Sequence, residues 1–426
     1  MRLSSPPAPS YYAATTTLPG RAALRGDIRT DVAILGGGLA GVSTALHLAQ
    51  RGYRVVLLEA RFVGYGASGR SGGQTIFGLA AAQKTLMQQV GRDDAHRLFD
   101  LSVEALKVTD ALIRDHRIEC DYRPNHVHVG VKPRHIDELR EWADELHREY
   151  SYTGVRFLDR EALREHVRSD RYVAGLIDPA SGHLHPLKFT EGLAKAAENA
   201  GAVIYENTPV LRYDEGAEVS VHTPDGVVRC AHLVLCGNAY IGAVAPPLAR
   251  RILGVGTYII ATERIDHNLL QELLPSNAAV ADINWILDYF RRSADDRMLF
   301  GGRVSYSSVQ PPQLAEGMRK RMVRVFPSLA DIKVAYAWGG YLDITMSRAP
   351  NFGRLTPNVL YLQGFSGHGM TLTVLAGKLV AETVAGNAER FDVFARIPHR
   401  DFPGGPLFRR PSLVMAMMYY RLRDLL

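Results

Sequence analysis

Two short apolar runs with a helical repeat between them lie near the start of the chain. Asp31-Val-Ala-Ile-Leu35 is mostly apolar and leads into three glycines, and Leu39 to Arg51 has apolar positions at helical spacing with Gly52 at its end. A second apolar run, Tyr53 to Glu59, follows. A strand, a glycine turn, a helix and a strand within about 30 residues predict a βαβ unit with a parallel sheet.

The same kinds of pattern continue along the chain and predict an α/β fold. Helices are expected over residues 93–116, 134–150, 187–200, 313–325 and 370–384. Strands are expected over residues 125–131, 202–205, 232–237, 255–262, 285–291, 298–305, 334–338 and 359–363, and Asp225-Gly226 predicts a hairpin turn. Residues 1–26 begin with a stretch rich in Ser, Pro, Ala and Thr and are expected to form a loosely structured arm.

Composition narrows the classes of function. The 426 residues suffice for two interlocked domains, and the formal charge of +6 comes from spread arginines without the dense basic block typical of nucleic-acid binding. Cys120, Cys230 and Cys236 lack the spacing of a disulfide framework or a zinc site, so no metal is expected. The sequence shows no secretory signal pattern and no apolar run of membrane-spanning length, which predicts a cytoplasmic protein.

The sequence Gly36-Gly-Gly38-Leu-Ala-Gly41 places G-x-G-x-x-G between the first strand and the helix. The first glycine permits a tight turn, the second lets the backbone approach a pyrophosphate, and the third lets the helix pack closely. Glu59 ends the second strand, where a carboxylate can accept hydrogen bonds from ribose hydroxyls. Together these features predict a dinucleotide site, without choosing between NAD and FAD.

Two further glycine-rich segments favour FAD. Gly64-Tyr-Gly-Ala-Ser-Gly-Arg-Ser-Gly-Gly-Gln74 follows the acidic strand, and its backbone can lie along an extended cofactor, with Ser68 near a phosphate and Arg70 offsetting charge. Gly364-Phe-Ser-Gly-His-Gly369 opens the last predicted helix. A helix N-terminus aimed at a flavin stabilises the negative charge that reduction creates. His368 is therefore the candidate catalytic residue, and a capping or packing role is the alternative.

These segments resemble the D-amino-acid-oxidase-like family of FAD enzymes over nearly the whole chain, and within it the γ-glutamylputrescine oxidase and L-pipecolate oxidase groups. The resemblance rests on Ser10-Tyr-Tyr-Ala-Ala-Thr15, Gly66 to Gln74, Trp338-Gly-Gly-Tyr-Leu-Asp343 with Arg348-Ala-Pro350, and Gln363 to Gly369. It implies oxidation of a carbon–nitrogen bond by FAD to an imine that water hydrolyses, with O2 accepting the electrons and H2O2 released.

The resemblance also implies a domain plan and a set of site residues. A discontinuous FAD-binding domain of the Rossmann-like, glutathione-reductase type is expected from 27–90, 165–250 and 336–400, and an interleaved mixed-sheet substrate domain from 91–164 and 251–335. An N-terminal arm (1–26) and a C-terminal amphipathic helix (401–426) complete the plan. The residues assigned to FAD are Gly36, Gly38, Leu39, Ala40, Gly41, Glu59, Ala60, Arg61, Ser68, Arg70, Ser71, Gly72, Gly73, Gln74, Val210, Gly237, Asn238, Gly364, Gly367, His368, Gly369 and Met370.

The substrate is expected to be a small amine or amino acid held by aromatic side chains. The candidates are Tyr258, Trp285, Tyr289 and Tyr341. Relatives that oxidise glycine or D-amino acids tend to place an arginine after the Trp-Gly-Gly segment to grip a carboxylate, whereas this chain has Tyr341-Leu-Asp343. Arg297 and Arg303 are possible replacements, and a cationic amine could be attracted by the carboxylates Asp282, Asp288 and Asp343.

Three functions remain open from the sequence. The first is an FAD oxidase for an amine of the γ-glutamylputrescine type or for the cyclic amino acid L-pipecolate. The second is a quinone-linked flavin dehydrogenase whose basic C-terminal helix rests on a membrane surface. The third is an NAD-binding or non-catalytic dinucleotide module.

Overall fold

The protein is described from a computed structural model that covers residues 10–284, 287–305, 313–403 and 405, with the backbone alone for 303–305. Part of the chain lies outside these ranges, including the predicted substrate residue Trp285, the side chain of Arg303 and most of the predicted C-terminal helix. The α-helices of the described residues are α1 (Tyr11–Ala14), α2 (Leu39–Ala49), α3 (Gln83–Val90), α4 (Arg92–Asp115), α5 (His135–Tyr150), α6 (Arg160–Leu163), α7 (Pro186–Asn199), α8 (Pro246–Arg251), α9 (His267–Leu273), α10 (Leu314–Val325), α11 (Gly369–Val384) and α12 (Glu389–Ala395).

Short 3-10 helices cover Ala67–Gly69, Asn238–Tyr240, Gly242–Val244 and Pro327–Leu329. The strands are β1 (Ile28–Leu35), β2 (Val55–Leu58), β3 (Gln74–Thr75), β4 (Arg123–Gly130), β5 (Arg156–Leu158), β6 (Ala174–His183), β7 (Val203–Tyr205), β8 (Arg212–Asp214), β9 (Val219–Thr223), β10 (Gly226–Leu235), β11 (Leu253–Thr262), β12 (Ala279–Asp282), β13 (Tyr289–Arg292), β14 (Met298–Ser305), β15 (Val334–Ile344), β16 (Asn351–Thr356) and β17 (Val359–Gln363).

The first sheet contains the predicted βαβ unit. Its order is β16-β17-β10-β1-β2-β7, and β17, β10, β1, β2 and β7 run parallel. One face packs against α2, α7 and α11 in the largest apolar core. The predicted hairpin at Asp225-Gly226 joins β9 to β10. The predicted α/β class is confirmed.

The second sheet has the order β15-β11-β14-β13-β12-β4-β6-β3 and is mostly antiparallel, with β5 added at β6. It takes strands from distant parts of the chain. The strands β6 and most of β15 lie within ranges that the sequence assigned to the FAD-binding domain, yet both pair in this second sheet. A single continuous range of the sequence, such as 165–250 or 336–400, therefore contributes strands to both sheets.

The described part of the N-terminal arm corrects the prediction of a loosely structured segment. Residues 10–26 pack against the body of the protein, and Tyr11, Tyr12 and Leu24 are buried. The guanidinium of Arg21 lies between Glu191, Glu198 and Glu206, at N–O distances of 3.0, 2.7 and 3.0 Å. The sequence pattern misses this packing because the partners are about 170 residues away or more.

No helix in the described ranges combines the length and apolar character that a membrane crossing requires.

Replacing Arg21 with Met tests how firmly the arm is held. The side chain of Arg21 is 6% exposed, so its loss leaves buried carboxylates without their cation and should lower the free energy of unfolding by about 3–5 kcal/mol. The control is Arg54→Met, which removes the exposed ion pair with Asp31 and should cost far less. Urea unfolding of both variants measures the difference, and equal losses would contradict a structural role for Arg21.

Candidate functional site

The first glycine turn lies where the carboxyl ends of β1 and β10 meet. Leu35 pairs with Leu235, so Gly36 and Cys236 are neighbours across the sheet. Gly36 has φ of +105°, and a Cβ there would lie 2.6 Å from the carbonyl oxygen of Cys236. A Cβ on Gly41 would overlap the carbonyl oxygen of Gly36. Both positions therefore require glycine, and no side chain from them fills the gap at the carboxyl ends of β1 and β10.

The start of α2 faces this gap. Gly38 is its N-cap and has no side chain to cap the helix, while the Leu39 N–H donates to Ser68 Oγ at 2.9 Å. A Cβ on Gly38 would lie 2.9 Å from the same oxygen. N–H groups in the first turn of a helix lack intrahelical partners and bind anions. The turn thus offers a cradle for a pyrophosphate, with Ser68 at its edge.

Glu59 ends β2 beside the turn. Its Oε2 accepts the N–H of Gly37 at 2.6 Å, and its Oε1 accepts the N–H of Arg61 at 2.8 Å. Burial raises the pKa of Glu59, while these two N–H groups act in the opposite direction. The carboxylate is held in a fixed orientation at the strand end, where a ribose hydroxyl would reach it.

The second glycine-rich segment, residues 64–74, is held against the second sheet. Arg70 donates from Nη1 to the Gly339 carbonyl at 2.7 Å and from Nε to the Tyr65 carbonyl at 3.1 Å. Trp338 Nε1 donates to the Arg70 carbonyl at 3.0 Å. The guanidinium of Arg70 therefore bridges backbone carbonyls, and it fixes the path of the loop.

Two residues that the sequence argument missed also hold this loop. Arg291 is buried and donates from Nε to the Gly72 carbonyl at 2.7 Å and from Nη2 to the Tyr12 hydroxyl at 3.1 Å. The Tyr12 ring packs on Trp338 at 5.2 Å between centroids. The segment Ser10 to Thr15 was recognised only by resemblance, and its physical role is to support the glycine loop through α1.

The third glycine segment forms a tight turn before α11. Gly364 has φ of +78°, its N–H donates to the buried carboxylate of Asp343, and the Ser366 N–H donates to the Asp343 carbonyl at 3.1 Å. His368 is the N-cap residue of α11 and makes no side-chain capping bond. Its Nδ1 is buried with no hydrogen-bond partner among the described residues, and burial lowers its pKa to about 4. His368 is thus a neutral imidazole at the start of a helix.

Other residues assigned to the cofactor flank these elements. Gly237 and Asn238 follow β10, and the buried Oδ1 of Asn238 has no partner in the described ranges. Ser71 Oγ lies 3.3 Å from Met370 Sδ, which joins the glycine loop to α11. Val210 is half-buried against the core on the other side of the first sheet. The open cradle and the unpaired buried atoms fit a dinucleotide with a flavin.

Comparison with known proteins identifies the family. A model of the FAD dependent oxidoreductase family, DAO, matches residues 31–383. The chain belongs to this family. It is 40% identical over 417 residues to gamma-glutamylputrescine oxidoreductase of Escherichia coli (strain K12), covering 97% of this chain and 98% of the relative. It is 38% identical over 399 residues to "Probable oxidoreductase OrdL" of Haemophilus influenzae, covering 92% of each.

Among solved structures, glycine oxidase from Geobacillus kaustophilus has the same fold. The TM-score is 0.69 at 21% identity, over 84% of this chain and 95% of that chain. The predicted family, the fold class, the enzyme class and the cofactor FAD are therefore confirmed.

The structure separates the predicted aromatic residues of this DAO-family enzyme. Paired residues point to the same face of a sheet, and successive residues point to opposite faces. Tyr289 pairs with Gly301, which pairs with Ile259, and a Cβ on Gly72 would lie 2.6 Å from the Tyr289 ring. Tyr289 therefore lies on the face that meets the glycine loop. Tyr258, the neighbour of Ile259, is buried in the apolar core of the opposite face, and its contact with substrate stays a prediction.

Tyr341 lies at the end of β15 that faces the first sheet. Its ring contacts Tyr240 edge-on at 6.4 Å between centroids, and Tyr240 in turn lies 6.2 Å from Tyr65 of the glycine loop. These rings form a row beside the glycine loop.

The carboxylates proposed to attract an amine have other partners. Asp288 pairs with Arg321 at 2.6 Å, Asp282 accepts the N–H groups of Asn284 and Asp288, and Asp343 accepts that of Gly364. The possible clamp Arg297 pairs with Asp295 at 2.9 Å and donates to the Thr262 carbonyl. The described contacts of these side chains are with protein groups, and their role toward a substrate stays a prediction.

The variant Gly38→Ala tests the cradle. The added methyl would crowd Ser68 Oγ and fill the space in front of α2, so FAD per chain should fall several-fold. The control is Gly254→Ala, whose methyl would lie 3.5 Å from Ala239 Cβ, an ordinary contact. Absorbance of flavin against protein measures occupancy, and full occupancy in Gly38→Ala would contradict the assignment.

Buried histidines predict that stability falls in weak acid. Burial lowers the pKa of His185 to about 3 and that of His47 to about 4. Below about pH 6.5 the unfolded chain binds protons that the folded chain excludes, so the free energy of unfolding should fall between pH 7 and pH 4.

His47→Leu isolates one contribution, because Nε2 of His47 is buried without a hydrogen-bond partner in the described part of the chain. The change in the free energy of unfolding caused by His47→Leu should be about 2 kcal/mol more favourable at pH 5 than at pH 7.5, as measured by urea unfolding. The same effect at both pH values would contradict a neutral buried His47.

Proposed function

We propose that this enzyme oxidises the terminal amine of a γ-glutamylated polyamine such as γ-glutamylputrescine, with O2 as electron acceptor. The products would be an aldehyde, ammonia and H2O2, with one water consumed. The observation that carries the proposal is 40% identity to a gamma-glutamylputrescine oxidoreductase along nearly the full length of both chains. The engagement of Arg291 and Arg297 with protein groups, described next, supports an amine that has no carboxylate beside its reacting carbon.

Two arginines of the second sheet already have protein partners, while a third arginine, Arg348, lies close enough to His368 for its charge to lower the pKa of that imidazole. The stretch Tyr341-Leu-Asp343 stands where some relatives have an arginine, and Asp343 accepts the N–H of Gly364 in the turn before α11. Arg291 donates hydrogen bonds to the Gly72 carbonyl and the Tyr12 hydroxyl, and Arg297 forms an ion pair with Asp295. A glycine or sarcosine carboxylate would thus receive no charge-assisted pair from Arg291 or Arg297, and a pair of that kind contributes roughly 1.5–3 kcal/mol, or about tenfold to a hundredfold in affinity.

When bound, FAD supplies the two-electron acceptor for the hydrogen of the substrate C–H bond. The residues proposed to hold it are those of the glycine turn, Glu59, Ser68 and the start of α11. In this arrangement, His368 offers a neutral imidazole beside the reacting carbon and can accept a hydrogen bond from the substrate nitrogen. Tyr289 bounds the same space from the second sheet.

A site without a free carboxylate favours the neutral form of an amine. Desolvation disfavours a charged ammonium, and a neutral imidazole adds no opposing negative charge. The reactive amine must be neutral, since its nitrogen lone pair assists departure of the C–H hydrogen. Substrate is therefore selected as the free base, and kcat/KM is expected to rise with pH toward the amine pKa.

A substrate panel tests the proposal. Values of kcat/KM for γ-glutamylputrescine should exceed those for glycine and sarcosine by about tenfold to a hundredfold or more, and should rise with pH. A preference for glycine or sarcosine would contradict it. A preference for L-pipecolate would establish the cyclic amino acid as the substrate instead.

The same assays identify the electron acceptor. Stoichiometric H2O2 supports O2. Turnover that requires a quinone analogue and releases no H2O2 would instead support the dehydrogenase that the basic C-terminal sequence suggested.

A further inference from the structure

The turn between β15 and β16 packs directly against the turn before α11. The N–H of Thr345 donates to Ser366 Oγ at 3.3 Å, and Thr345 Oγ1 donates to the Ala349 carbonyl at 2.7 Å. A Cβ on Gly364 would lie 2.5 Å from Thr345 Cγ2, so the two turns approach as closely as glycine allows. Residues 345–350 therefore have a fixed position beside the start of α11, the element proposed to face the flavin.

Arg348 of this turn has a backbone conformation that is unusual for a residue with a side chain. Its φ is +64°, in the left-handed region, and its N–H donates to the Thr345 carbonyl at 3.3 Å. Backbone strain of this kind persists where the surrounding structure fixes it, and it is concentrated at functional sites. The fold thus holds position 348 beside α11 against the preference of an arginine backbone.

The guanidinium of Arg348 is available to a ligand. The residue is half-buried, its side chain makes no hydrogen bond or ion pair with the described residues, and none of its nitrogens is cut off from solvent. Burial and the charge of Arg348 both lower the pKa of His368. The nearby carboxylate of Asp343 is instead occupied by backbone N–H groups, among them that of Gly364. Within the described part of the chain, Arg348 therefore has no anionic partner.

The surroundings of Arg348 are open to solvent. Met346, two residues earlier, is 51% exposed, and Gly367 in the facing turn is exposed as well. A Cβ on Gly367 would meet no atom of the described residues within 4 Å beyond its chain neighbours. The Nδ1 of His368, in contrast, is buried. In the proposed reaction the reacting carbon lies at His368, so a substrate group that meets Arg348 lies on the solvent side of that carbon.

The chemistry of an unpaired guanidinium selects an anion, and its planar set of donors matches a carboxylate. γ-Glutamylputrescine has one carboxylate, at its glutamyl end, and a flexible chain separates this group from the oxidised amine. We propose that Arg348 binds the carboxylate at the glutamyl end of the substrate. This inference rests on the proposed function and names the group by which the enzyme recognises the end of the substrate that is not oxidised. Arg348 is thus a specificity-determining residue.

The decisive variant is Arg348→Met in the FAD-loaded enzyme, which removes the charge and the donors but keeps an unbranched side chain. Two substrates isolate the carboxylate: glutarylputrescine ends in a carboxylate, and pentanoylputrescine has a methyl group in its place. Wild-type kcat/KM should favour glutarylputrescine, and Arg348→Met should reduce this preference about tenfold, through KM more than through kcat. Arg348→Lys, which keeps the charge, should restore part of the preference.

Arg354→Met is the matched control. Arg354 is also partly exposed, but it pairs with Asp392 at 2.6 Å, so this change should lower Tm slightly and leave the preference between the two substrates unaltered. Arg348→Met breaks no described side-chain hydrogen bond, so its Tm should not fall. An unchanged preference in Arg348→Met, or equal losses for both substrates, would overturn the inference.

A pair of probes without an oxidisable amine distinguishes failure of this site from failure of the proposed function. N-butylglutaramate carries the carboxylate, N-butylpentanamide does not, and the Kd of each is measured from perturbation of the flavin spectrum. If wild-type enzyme does not oxidise γ-glutamylputrescine but Arg348→Met weakens only N-butylglutaramate, by about tenfold, the carboxylate site stands and the proposed substrate is wrong.

Two outcomes refute the site whichever amine is oxidised. The first is equal binding of N-butylglutaramate to wild-type enzyme and Arg348→Met. The second is a variant that weakens L-pipecolate but not N-butylglutaramate, because the arginine would then bind a carboxylate beside the reacting carbon.

Discussion

The fold depends on the clamping of the glycine loop, residues 64–74, between the two sheets. The loop follows directly from the first sheet, and the second sheet holds it through Arg70, Trp338 and Arg291. All of these contacts involve backbone carbonyls of the loop or of β15. The loop is therefore held largely through its backbone, and Ser68 and Ser71 add side-chain contacts to Leu39 and Met370. Position 72 must stay glycine because the Tyr289 ring packs directly against it.

This constraint explains which parts of the cofactor site could be predicted. The requirement for glycine at Gly41 and the hydrogen bond from the Gly37 N–H to Glu59 arise between residues close in the sequence, and the glycine pattern indicates both. The carbonyl of Cys236 that excludes a side chain at Gly36 comes from the distant strand β10. The support of the loop could not be inferred. Tyr12 and Arg291 are 279 residues apart and meet only because the N-terminal segment crosses to the second sheet.

The substrate side was harder to predict because it depends on strand register. A one-residue shift in register reverses the face of every side chain. β11 contains a bulge at Thr257 and Tyr258, and Tyr258 faces the opposite core while Ile259 faces the glycine loop. The alternation of β4 was visible in the sequence, but only the pairing of β4 with β12 and β6 shows which face each of its side chains takes.

The same geometry accounts for the electrostatic character of the site. Two of the acidic residues that the sequence offered as partners for a cationic amine already have partners in the protein. Asp288 pairs with Arg321, and Asp343 accepts the Gly364 N–H that shapes the turn before α11. Burial raises the pKa of Asp343 to about 6, so this carboxyl is still mostly ionised at neutral pH, where it accepts the N–H of Gly364. The imidazole of His368, whose pKa burial lowers to about 4, lies close enough to Arg348 to feel its charge. These carboxylates therefore serve the fold, and the selection of substrate in the proposed reaction must depend on other groups.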